Sequence, residues 1–145
     1  MNFFSALRVS SSGLTAQRIR MNLAANNLAN INTTKTPEGG PYRRKDVVFA
    51  SQPLEKSFGD TLDSRMTGKL SEVRVAGIID DPRPPHRKHD PQHPDADENG
   101  YVKTPNIKLM EEMVNMLSAT RSYEANVTAI KATKDMALKA LDIGK

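Results

Sequence analysis

The sequence predicts a mainly α protein, with long N- and C-terminal helices forming a coiled coil and an extended proline-rich middle carrying a small β element. Three observations predict it. Leu109, Met113, Met116, Thr120, Tyr123, Val127, Ile130, Lys134, Ala137 and Leu141 recur in alternating steps of four and three. That is a mean repeat of about 3.5 residues, which keeps one seam of a helix facing a partner. Leu7, Leu14, Met21 and Leu28 recur every seventh residue near the other end. Eight of the nine prolines lie in the middle of the chain, between Thr33 and Lys103, where they remove backbone donors and interrupt helices. Three segments result: residues 1–33 as the first coiled-coil helix, 34–103 as the extended middle, and 104–145 as the second helix.

The first helix is expected from about Asn2 to Ile31, its apolar face widened by Val9, Ala16, Ile19, Leu23, Ala24 and Ala25. Gly13 inside it costs about 1 kcal/mol relative to Ala. With Ser10, Ser11 and Ser12 it also makes a surface of small side chains where another helix can approach closely. Asn30, Asn32, Thr33 and Thr34 favour caps and turns over further helix. Pro37 and Gly39-Gly40-Pro41 then end it.

In the middle, Asp46–Ala50 and Val73–Ile79 have the β-branched, apolar character of short strands. Glu55 to Arg65 is weakly patterned and reads as loop. Asp80 to Gly100 is dominated by Pro, His, Asp and Arg, too polar to fold alone; it reads as an arm ordered mainly against neighbouring subunits. The last helix is expected from about Pro105 to Leu141. Thr104 is its cap, Pro105 its first residue, Glu111 and Glu112 stand at the positive end of the dipole, and Lys139 and Lys145 at the negative end. At about 1.5 Å per residue such a helix is roughly 55 Å long, too long to shelter its seam in a small globule. Lys134 on that seam is expected to lay its stem along it and reach water with its ammonium.

Composition narrows the function classes. The 145 residues are 37% hydrophobic and only 5% aromatic, with no Trp and no Cys. Such numbers suit thin helical seams better than a packed enzyme core, and they remove disulfides and thiolate metal sites. No run of apolar residues is long enough for a transmembrane helix. The start Met1-Asn2-Phe3-Phe4-Ser5-Ala6-Leu7 lacks the apolar core of a cleavable secretory signal. An acid-poor start is also a trait of mitochondrial transit peptides, but the Asn-rich run after Met21 has no purpose in a discarded peptide. The net charge of +4 is modest and Arg8, Arg18 and Arg20 are sparse, so no nucleic-acid partner is expected.

Ala25-Asn26-Asn27-Leu28-Ala29-Asn30-Ile31-Asn32-Thr33 resembles the N-terminal signature of flagellar rod, hook and related axial proteins. The motif residues are Ala25, Asn26, Asn27, Leu28, Ala29, Asn30 and Thr33; their amides and hydroxyl can satisfy backbone groups at a helix end. Most members continue directly with Gly-Tyr, whereas here Thr34 to Phe49 intervenes. His89 through Asp97, Gly100-Tyr101-Val102, Pro105-Asn106, Met113, Arg121 through Asn126 and the closing Leu141 through Lys145 add to the likeness, which covers nearly the whole chain. The resemblance implies a non-enzymatic subunit of the basal-body rod crossing the periplasm, with paired terminal helices lining an inner tube. It implies other copies of the chain and other flagellar rod proteins as partners, and passage through the flagellar export apparatus without a cleaved signal. The assembly seam is then Leu7, Leu14, Met21 and Leu28 with Leu109, Met113, Met116, Tyr123, Val127, Ile130, Ala137 and Leu141.

Other chemistries find weaker support. His86, His89 and His93 with Asp90, Asp95 and Asp97 are a conceivable metal set, yet Pro91 and Pro94 spoil any helical His pair. Asp95-Ala96-Asp97-Glu98-Asn99-Gly100 matches half of a calcium loop, but Asn106 stands where the bidentate Glu belongs; a turn at Asn99-Gly100 accounts for it. No nucleophile elbow and no phosphate-cradling glycine loop is present. No cofactor, metal, catalytic residue or small-molecule substrate is expected. Arg43-Arg44-Lys45 is too short for a nucleic-acid patch and suits an acidic patch on an adjacent subunit. The rival readings are a metal-binding module or enzyme centred on the His/Asp arm, and a cytosolic coiled-coil export adaptor.

Overall fold

The structure is a computed structural model that describes residues 3–54 and 70–143. Six elements follow in order: α1 (Phe3–Ala29), β1 (Lys45–Pro53), β2 (Ser71–Asp80), β3 (His86–His89), β4 (Tyr101–Thr104) and α2 (Leu109–Ile143). β1 pairs with β2 and β3 with β4, giving two separate two-stranded antiparallel sheets. The loop expected over Glu55 to Arg65 and the dipole role expected of Lys145 lie outside the described residues.

The expected fold class is corrected here. Helix makes up 49% and strand 21% of the described residues, so the terminal helices are present but the chain is a mixture of helix and sheet. The middle is not one extended proline-rich arm with a small β element. Asp80 to Gly100 owes its order to local hydrogen bonds, a source of structure that hydropathy does not register. His86 faces Thr104 and His89 faces Tyr101 across the β3–β4 ladder, and the His89 and Tyr101 rings stack edge to face at 5.1 Å. Between the strands, Asp90, His93 and Asp97 carbonyls accept from the amides of His93, Ala96 and Gly100 at 2.9–3.2 Å. Gly100 takes φ +76°, a conformation that is cheap only without a Cβ.

A coiled coil is not what the structure shows either. The buried positions along the two helices are Ala16, Leu23, Ala24, Asn27, Glu112 and Ala119, mostly small or polar. Heptad spacing reports which helix face is apolar, not whether a second helix of the same chain covers it. The second helix also begins later than expected, at Leu109, because Thr104 belongs to β4 and Pro105 and Ile107 are buried ahead of the first turn.

The described residues group into two compact units. One lies within residues 1–18, 49–76 and 119–145. Its buried apolar residues are Ala16, Leu54 and Ala119. Ser12 Oγ donates to the Val9 carbonyl at 2.8 Å and accepts from the Val73 amide at 3.1 Å, so α1 covers part of the β2 edge with a side chain standing in for a strand. Gly13 faces Asn126 so closely that a Cβ would sit 3.0 Å from its Nδ2. The small-residue surface around Gly13 therefore does admit a second helix.

The other unit lies within residues 19–48 and 77–118. Leu23, Ala24, Val102 and Ile107 form its buried apolar set. Arg20 reaches Asn115 at 3.3 Å and Asn27 reaches Glu112 at 3.1 Å, so α1 and α2 run antiparallel there. Helix α1 ends as its composition requires. Asn30 Nδ2 bonds back to the Asn26 carbonyl at 2.9 Å, and Thr33 Oγ1 donates to Asn30 Oδ1 at 3.1 Å.

Candidate functional site

The densest polar arrangement is centred on Asn27, which is 1% exposed. Its Nδ2 donates to the Lys45 carbonyl at 2.8 Å and to Glu112 Oε2 at 3.1 Å. Its Oδ1 accepts from the Lys45 amide at 2.9 Å and the Tyr42 hydroxyl at 3.1 Å. A carboxamide has two donors and two acceptor lone pairs, and all four are used. Towards Lys45 the side chain behaves as a peptide group, giving the first residue of β1 a reciprocal pair of bonds like those of a neighbouring strand.

Glu112 completes the arrangement. Also 1% exposed, it accepts from Arg44 Nε at 2.6 Å, while Arg44 Nη1 contacts Asp46 at 3.0 Å. A buried carboxylate is tolerable only when paired and hydrogen-bonded, and here one oxygen takes the guanidinium and the other the amide. Burial opposes the charge on Arg44, but its bonds to Glu112 and Asp46 prevail and its pKa is raised. Burial also raises the pKa of the Tyr42 phenol, aided by the negative charges of Asp80 and Glu112. One helix, the loop before β1, and the second helix are thus tied through Asn27, Tyr42, Arg44 and Glu112. The arrangement sets position.

Sequence reading singled out Asn27 through the motif but missed its partners. Glu112 counted only as a helix-dipole acid and Arg44 as one of a basic triplet. A usable sign was present: Glu112 precedes Met116 by four residues and Ala119 by seven, the spacing of one helix face, and those two are partly and fully buried. The other motif residues divide by role. Asn30 and Thr33 finish α1, Leu28 is partly buried, and Ala25, Asn26 and Ala29 are exposed.

The seam residues fall into two groups in this single chain. Leu7, Leu14, Met21, Leu28, Met116, Tyr123, Val127, Ile130 and Ala137 are partly buried, whereas Leu109, Met113 and Leu141 are exposed. Leu109, Met110, Met113, Val114 and Leu117 are 48–70% exposed and form two adjacent stripes over the first turns of α2. The histidines do not converge: His86 and His89 lie in β3, and His93 Nδ1 accepts the Asp95 amide at 3.1 Å. Asp97 Oδ1 is taken by the amides of Asn99 and Tyr101 at 3.0 and 2.8 Å, which makes the half calcium loop a backbone turn. Among the described residues, no three His, Asp or Glu side chains are grouped to hold a metal.

Comparison with known proteins matches both ends of the chain to flagellar families. Residues 7–35 match the flagella basal body rod protein family, and residues 98–143 match the C-terminal family of the flagellar basal body rod FlgEFG proteins. The flagellar basal-body rod protein FlgC of Borreliella burgdorferi is 47% identical, over 99% of this chain and 98% of that protein. FlgC of Bacillus subtilis is likewise 47% identical, over the full length of both. FlgC of Salmonella typhimurium is 40% identical, again over both full lengths. These matches extend over 99–100% of this chain at 40–47% identity, and the chain belongs to the FlgC family of flagellar basal-body rod proteins.

Proposed function

We propose that this chain, a structural subunit of the flagellar basal-body rod, joins other copies of itself and other rod proteins through the exposed apolar stripes of α2. The observation that carries this reading is the run Leu109, Met110, Met113, Val114 and Leu117, left 48–70% exposed. Scattered exposed apolar residues are ordinary, but a contiguous set on one helix marks a surface that another chain covers. The Asn27–Glu112 tie supports it by holding α2 in one position, so that the stripes are presented rigidly. The role is mechanical: the subunit transmits torque by fixed geometry and performs no catalysis.

On this reading the chain leaves the cytoplasm through the flagellar export apparatus, keeps its N-terminus uncleaved, and takes its place in the part of the rod that crosses the periplasm. Photo-crosslinking amino acids at Met113 and Leu117, in a host whose motility depends on this chain, test it. Crosslinks to flagellar rod subunits in purified basal bodies are expected, and mass spectrometry should find the N-terminal peptide intact. Crosslinks confined to cytosolic proteins, with the chain missing from basal bodies, would sink the proposal.

A further inference from the structure

A depression of about 330 Å³ opens beside the tie, lined by the loop Gly39–Arg44, by Asp81, Arg83 and Pro85, and by Lys103 and Asn106. Four of its lining side chains are cations and one is an acid. That acid is already committed: Asp81 accepts from Arg83 Nε and Nη2 and from the Arg83 amide, which holds its pKa down at about 2. Arg44 is committed to Glu112 and Asp46. Arg43 and Lys103 remain, and among the described residues neither has an acidic partner.

Lys103 stands in a further unfavourable relationship. It faces Arg87 directly across the β3–β4 ladder, and like charges in directly opposed positions repel. The strands have only four residues each, and among the described residues no acid pairs with Arg87 or Lys103, so the two charges are screened by solvent or by a counter-charge supplied from outside. Both cations are exposed, and the loop rim at Gly39 and Gly40 is open, with nothing within 4 Å of either Cβ position.

We infer that this depression receives a carboxylate-bearing segment of a neighbouring rod subunit, which pairs with Arg43 and Lys103 and relieves the Lys103–Arg87 repulsion. The inference rests on the rod reading and deepens it by naming a second contact and its chemistry. A protein carboxylate fits better than phosphate. Phosphate sites are built from converging backbone amides, whereas Pro41 and Pro85 on this rim have no N–H. The free cations sit on two different elements, the loop after α1 and β4, which suits two separated carboxylates along a chain. Complementary charge of this kind sets partner choice and register more than raw affinity.

The test uses the full-length chain in two arms. In a motile host lacking its own copy, the wild-type gene must first restore swimming; failure there would overturn the rod reading itself. With swimming restored, the Arg43→Glu/Lys103→Glu double variant should be exported at normal levels yet complete few rods. Acid-to-Lys changes in a neighbouring rod protein should appear among its motile suppressors. The purified double variant should keep the wild-type circular dichroism spectrum. A decaglutamate peptide titrated into purified wild type should bind about tenfold more tightly than to the double variant at low salt, and lose that advantage as salt rises. Full motility of the double variant, or equal peptide binding by both proteins, would overturn the inference. So would a charge-dependent preference for inorganic phosphate or phosphatidylglycerol vesicles over the peptide.

Discussion

Asn27 Nδ2 donates to Glu112 Oε2 at 3.1 Å across 85 residues of sequence, and neither residue is more than 1% exposed. Apolar helix contacts tolerate sliding, because one aliphatic neighbour resembles the next. This pair does not. Displacing α2 by one turn, about 5.4 Å, would leave a carboxylate and a carboxamide buried without partners. The tie therefore fixes the relative register of α1 and α2 in its unit, in the way a polar residue specifies register in an otherwise apolar interface.

Asn27→Ala removes four hydrogen bonds and leaves Glu112 and the Lys45 backbone short of partners. At about 1 kcal/mol per bond, with more for groups left buried, the loss should be about 3–5 kcal/mol. Asn30→Ala removes one exposed and one part-buried bond at the helix end and should cost about 1–2 kcal/mol. Urea unfolding of both variants checks the ranking, and equal midpoints would show that the four bonds carry no net stability.

Arg44→Ala should cost about 3–5 kcal/mol, because it leaves the buried Glu112 carboxylate without its guanidinium; Glu112→Ala should cost less, because Arg44 keeps Asp46. The double variant should cost clearly less than the sum, since neither charge is then left alone. A thermodynamic cycle in chemical denaturant measures the coupling. Additive losses would mean that the 2.6 Å contact is energetically idle.

Tyr42 gives the stability a pH dependence in the alkaline range. Its phenol pKa lies above the ordinary 10.0 in the folded chain, through burial first and then the charges of Asp80 and Glu112. The folded state therefore holds this proton more tightly than the unfolded state does. The corresponding stability is complete below about pH 10 and is lost as pH rises through the folded value. Wild type should lose stability above pH 10 more steeply than Tyr42→Phe, in which the other titrating groups are unchanged. Parallel pH profiles for the two proteins would contradict this.

Both terminal helices and the first strand pair were legible because each rests on a local pattern: a sevenfold repeat of Leu and Met, or a short β-branched run. The end of α1 was legible because Asn30 and Thr33 act on neighbouring backbone. The β3–β4 hairpin was not. Its order comes from Asp97 gathering two amides and from Gly100 at positive φ, neither of which raises hydropathy. The coiled coil was misread because Leu109, Met113 and Leu141 keep an apolar repeat that the single chain leaves uncovered. Glu112 escaped notice since the meaning of a buried carboxylate depends on Arg44, 68 residues away.

The uncovered repeat separates folding from assembly, and aspartate substitutions can tell the two apart. Met113 and Leu117 are 51% and 53% exposed, so Asp at either should change the stability of the isolated chain by only about 0.5 kcal/mol. Placed in a contact between subunits, the same carboxylate would be buried without a partner, at a cost of several kcal/mol. Met113→Asp and Leu117→Asp should therefore be made and exported normally yet fail to complete rods, leaving cells without swimming. Val127 and Ile130 are already partly sheltered within the chain, so Asp there should lower the melting temperature as well as block swimming. Lys131→Asp, on an exposed position of the same helix, serves as the control and should be mild in both assays. Normal swimming by Met113→Asp and Leu117→Asp would mean that the first turns of α2 face solvent in the rod. The assembly surface would then have to be sought elsewhere on the subunit.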